Sequence, residues 1–159
     1  MAVSLVPERK VIPLFHLEQK DGEMFDSSDY KRKKNLVLFF LTDADTDFLM
    51  RLSQAAASLR KENAEIIAIS LLGRSRLADL HRKNHLDFVI LSDEKKEVFR
   101  KFLSFAEGES FAALFVTDRY GDVFFQYVTA RAGDMPPFND IARSLVFIES
   151  QCPECGGWT

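Results

Sequence analysis

The segment Asn35-Leu-Val-Leu-Phe-Phe-Leu41 constrains this chain more than any other, because six apolar residues in succession leave no face for water. A strand points successive side chains to opposite faces, so such a run has to be covered on both sides, as in the middle of an α/β sheet. It falls far short of the roughly 20 apolar residues of a membrane-spanning helix, and so does the later run Ile66 to Leu72.

The flanking sequence supplies the covering layers. Val11 to Leu17, broken by Pro13 and ending at Asp21-Gly22, reads as an edge strand or hairpin arm, and Ser27-Ser28-Asp29 reads as the cap of a single turn through Tyr30. After the central strand, Asp43, Asp45 and Thr46 are cap candidates for a helix. Its apolar positions Phe48, Leu49, Leu52, Ala55, Ala56 and Leu59 recur every three or four residues until Lys61, Glu62 and Asn63. A strand over 65–72, a helix opened by Gly73 and Ser75 with Leu77, Leu80 and His81, and a strand over 88–91 follow. Ser92-Asp93 caps a charged helix carrying Val98, Phe99 and Phe102, and 104–110 reads as a loop. Strands over 111–117 and 123–128 flank the turn Asp118-Arg-Tyr-Gly121, and a last helix runs from about Pro137 to Glu149. The order βαβαβα, hairpin, helix predicts an α/β sandwich with a mixed sheet and helices on both faces. The expected organisation is one domain over 1–150 and a polar tail over 151–159.

Composition narrows the function classes. The chain has 159 residues, 24 acidic against 21 basic, and a net charge of -3, so no large positive field draws it to nucleic acid or anionic lipid. The basic run Lys31 to Lys34 is short, lacks interleaved aromatics, and reads as a solvated loop with no partner. The beginning MAVSLVPERK has neither a long apolar stretch nor a small-residue cleavage pattern, so the expectation is a cytoplasmic protein with no membrane segment.

The sharpest chemical motif is Cys152-Pro-Glu-Cys155-Gly-Gly, which holds the only two cysteines. Their loop is too short to staple a fold, and the spacing leaves three readings open. In one, the pair is redox-active: one thiolate attacks a substrate disulfide or sulfenic acid and the other resolves the mixed intermediate. No Lys, Arg or His lies beside it in sequence to lower a thiol pKa, and a helix ending near Glu149 would turn its negative end toward it. In the second, Cys152 and Cys155 form a zinc knuckle, half of a four-ligand site. The missing ligands would come from His16, His81 or His85, or from a second copy of the chain. In the third, the thiols are incidental. Trp158 beside them could cover the domain, a subunit interface or a thiol partner.

Other candidates have ordinary explanations. His81 and His85 share a helix face only if the helix reaches that far, and His16 belongs to the first strand. Asp43, Asp45 and Asp47 have the composition of a helix start. No phosphate-cradling glycine loop occurs.

The whole layout resembles the thioredoxin-like fold in its peroxiredoxin or redoxin branch, the alkyl hydroperoxide reductase and thiol-specific antioxidant family. The residues that carry the resemblance are Pro13-Leu-Phe-His-Leu17, Asp21-Gly22, Ser28-Asp29-Tyr30, Leu36 to Leu41, Leu91-Ser92-Asp93 and Leu114-Phe-Val-Thr-Asp-Arg-Tyr-Gly-Asp-Val123, in family order over about 8–150. It implies a three-layer sandwich with a central mixed sheet and an antioxidant oxidoreductase. Its candidate partners are a thiol or disulfide protein, a small-molecule peroxide, and a second copy in a homodimer. One departure stands out. The family's reactive cysteine follows the central strand, at a position near Leu49 here, and 42–50 contain no cysteine. Thr46 resembles the family threonine before that cysteine, Ala112 stands near the family proline, and the usual arginine is missing. Two functional expectations result. One is an atypical thiol-disulfide oxidoreductase using Cys152 and Cys155, without conventional peroxidase chemistry and without a cofactor. The other is a noncatalytic binding or assembly protein whose tail holds zinc, across a dimer where a second copy completes the site.

Overall fold

The computed structural model describes residues 1–19 and 22–151. Its main sheet has five strands: β4 (Asn35–Leu41), β5 (Ala64–Ser70), β6 (Val89–Ser92), β8 (Ala112–Thr117) and β9 (Val123–Thr129). They lie in the order β6-β5-β4-β8-β9. β4 takes the centre, parallel to β5 and antiparallel to β8, which explains why all seven of its residues are buried. Its side chains divide by alternation. Val37, Phe39 and Leu41 join a core with Phe48, Leu52 and Leu59 of α1 (Thr46–Arg60), Leu77 of α2 (Arg74–Asn84), and Ile141, Leu145 and Ile148 of α4 (Phe138–Ser150). Leu36, Leu38 and Phe40 face the opposite core, built from Val98, Phe99 and Phe102 of α3 (Glu97–Phe102) and from Ile12 and Phe15. The expected α/β three-layer sandwich with a mixed sheet and flanking helices is therefore the architecture observed.

Two small ladders complete it. β2 (His16–Glu18) and β3 (Met24–Asp26) form a hairpin, and a 3-10 turn over Ser27–Tyr30 follows, capped by Asp26 through the Ser28 N–H. β1 (Val3–Ser4) pairs with β7 (Leu103–Ser104), so Ser104, expected in a loop, belongs to a strand. Two residues are too few to show any period, and the partners are about a hundred positions apart. β5 ends at Ser70 rather than Leu72. Asp93 does cap α3, but from outside the helix: the chain turns through Lys96 at φ 62°, and the Asp93 carboxylate accepts from the Phe99 N–H at 2.8 Å. Burial pushes its pKa up, opposed by backbone hydrogen bonds from Phe99, Val98 and Glu97.

Candidate functional site

The carboxyl end of β4 is where open α/β sheets place their sites, and where the resemblance expects a thiol. Here the main chain is closed. Thr42 Oγ1 donates to the Phe111 carbonyl at 2.9 Å and accepts from the Phe111 N–H at 2.9 Å, while the Thr42 N–H donates to the same carbonyl at 3.2 Å. This lengthens the β4–β8 ladder by one pair beyond Leu41 and Ala112. Next to it, Ser110 Oγ donates to Asp43 Oδ2 at 2.5 Å. Leu49, near the family's cysteine position, is 1% exposed and packed in the core. Thr46 opens α1, and Ala112 is buried in β8.

Asp43, Asp45 and Asp47 are each engaged in local structure. Asp45 is the N-cap of α1, accepting from the Phe48 N–H at 3.1 Å, and Asp47 pairs with Arg51 four residues on at 3.3 Å. Of the cap candidates Asp43, Asp45 and Thr46, only Asp45 caps the helix, since Asp43 accepts from Ser110 and Thr46 is the first helical residue. Thr42→Val keeps the side chain's shape but leaves the Phe111 N–H without its acceptor in a buried place. The expected cost is about 1–3 kcal/mol, or roughly 5 °C in the thermal midpoint. An unchanged midpoint in thermal unfolding would show that the main chain alone closes this end.

The opposite end of the sheet gathers a different set of groups. Asn35, fully buried at the start of β4, donates from Nδ2 to the Glu62 carbonyl at 3.0 Å and to Glu149 Oε1 at 2.8 Å. Arg119 Nη2 lies 4.0 Å from that same carboxylate oxygen. The Arg32 N–H donates to the Arg119 carbonyl at 2.6 Å, and Asn63 Nδ2 donates to the Lys33 carbonyl at 3.0 Å. The last turn of α4 is therefore tied to the run Lys31–Lys34 and to the β8–β9 turn. In that turn Asp118 faces inward, accepting from the Tyr120 and Asp122 N–H groups at 2.9 and 3.0 Å, and burial pushes its pKa up.

The Gln151 N–H donates to the Ile148 carbonyl and closes α4, and Cys152 is the next residue in the chain. Cys152, Cys155 and Trp158 lie outside the described residues, as does Asp21. The histidines are not gathered into a ligand set. His16 sits on β2 opposite Asp26 and His81 on α2, while His85 is past the end of that helix at φ 49°. That left-handed residue ends α2 at Asn84, so His81 and His85 do not form a helical i,i+4 pair. Among the described residues, no group of three or more His, Cys, Asp or Glu could hold a metal ion. Nor is any described helix long and apolar enough to cross a membrane.

The sequence reading missed the closeness of Lys31–Lys34, Arg119 and the end of α4. No local signal encodes it, since these residues come from three segments widely separated in the chain. The only usable hint was that Lys34 directly precedes the central strand, which fixes the run at one end of the sheet.

Comparisons with known proteins agree with this architecture. The model of the AhpC/TSA family matches residues 9–126. Peroxiredoxin Bcp of Escherichia coli (strain K12) is 28% identical over 95 residues, covering 58% of this chain and 61% of that protein, so the match spans about three-fifths of the curated relative's length. The crystal structure of peroxidoxin BcpB from Mycobacterium tuberculosis superposes with a TM-score of 0.78 at 20% identity, covering 90% of this chain and 98% of the other. A putative thiol:disulfide interchange protein DsbE from Chlorobium tepidum superposes with a TM-score of 0.72 at 17% identity, covering 91% and 99%. The structural likenesses establish the thioredoxin-like fold, and the family match spans most of the domain from the N-terminal segment into β9: the chain belongs to the AhpC/TSA family of peroxiredoxin-like proteins.

Proposed function

We propose that this chain is a thiol-disulfide oxidoreductase that works through Cys152 and Cys155 rather than at the carboxyl end of β4. One observation carries the reading: the chain's only two thiols stand three positions apart beyond α4, while Thr42, Phe111 and Leu49 fill the place where the family resemblance expects a cysteine. In the proposed cycle, one thiolate attacks a sulfur of a substrate disulfide. A mixed disulfide forms, and the first substrate thiolate leaves and takes up a proton. The second cysteine then attacks its neighbour's sulfur, closing the Cys152–Cys155 disulfide and releasing the second substrate thiol. Two electrons and two protons pass to the substrate, and a reduced thiol donor reverses the sequence. A small peroxide would serve as an alternative oxidant, converting one thiolate to a sulfenic acid that the other thiol resolves with loss of water. The reducing cytoplasm is the compartment in which such a pair would cycle.

A second reading has a physical point in its favour. The negative end of α4 precedes Cys152, and it favours a bound cation over a free thiolate. Two cysteines are half of a tetrahedral zinc site, and the other half would come from His16, His81 or His85 or from the cysteine pair of a second copy of the chain. In that case the protein is a binding or assembly module.

The deciding experiment is thiol and zinc stoichiometry on untagged protein purified anaerobically without chelator, followed by equilibration against a graded glutathione couple. Metal-free protein with one reversible two-electron transition is the expected result. One zinc per two chains, protecting all four thiols, would overturn the redox reading in favour of assembly.

A further inference from the structure

We draw no further inference here: the strongest candidate, the outer edge of β9 with the exposed side chains of Tyr127 and Phe147 beside it, is an apolar patch, and nothing in the structure shows what covers it.

Discussion

Phe40→Ala is expected to destabilise the fold by about 3–5 kcal/mol, lowering the thermal midpoint by roughly 10 °C. Phe40 is fully buried on the central strand, and its ring lies 5.1, 4.8 and 5.7 Å from the rings of Phe99, Phe102 and Phe115. Those partners come from α3 and β8, so the truncation opens a cavity at the point where helix and sheet meet, and no single rotamer change can close it. Phe147→Ala is the matched control. Its ring is 52% exposed on α4 and touches Phe124 at 6.4 Å, so its loss should cost under about 1 kcal/mol. Denaturant unfolding of both variants checks the pair. Equal costs would mean that the aromatic cluster around Phe40 is not the packing centre of its layer.

The contrast between these phenylalanines shows what the sequence could convey. Phe40 lies in a run with no polar neighbour, and the period of two assigns Phe39 and Phe40 to opposite cores, as observed. Asp45 was legible as a cap because capping is decided within four residues. Other features depend on contacts between distant segments. The β1–β7 pair joins Val3 to Ser104, and the closure by Thr42 requires Phe111, 69 positions away. The end of α2 was legible to within a residue, since Asn84 and His85 read as following the helix and it stops at Asn84, although the left-handed turn at His85 is not a glycine and carries little sequence signal of its own. For the candidate site, the cysteine pair and the absence of cysteine from 42–50 could be read directly. The closeness of Lys31–Lys34 to Arg119 and Glu149 could not, because a basic run beside a strand looks like any solvated loop until the fold brings those residues to it.

Replacing one cysteine at a time separates the two steps of the proposed exchange. Serine matches cysteine in shape, but its hydroxyl does not attack disulfides at neutral pH. If the attacking cysteine is changed, no adduct should form at the wild-type rate. If the resolving cysteine is changed, the first step proceeds and the protein should be trapped as a mixed disulfide carrying one substrate thiol per chain, visible as a mass increase that a reductant removes. The wild-type protein resolves that species internally. A thiol tethered three residues away acts at an effective concentration in the millimolar range or above, whereas a second protein molecule in a micromolar assay resolves it about a thousandfold more slowly. C152S and C155S are therefore expected to differ in kind, one inert and one trapped, and the assignment of attack and resolution follows from which is which. Two variants that both turn over like the wild type would end the proposal, since the chain holds no third thiol to take over the missing role.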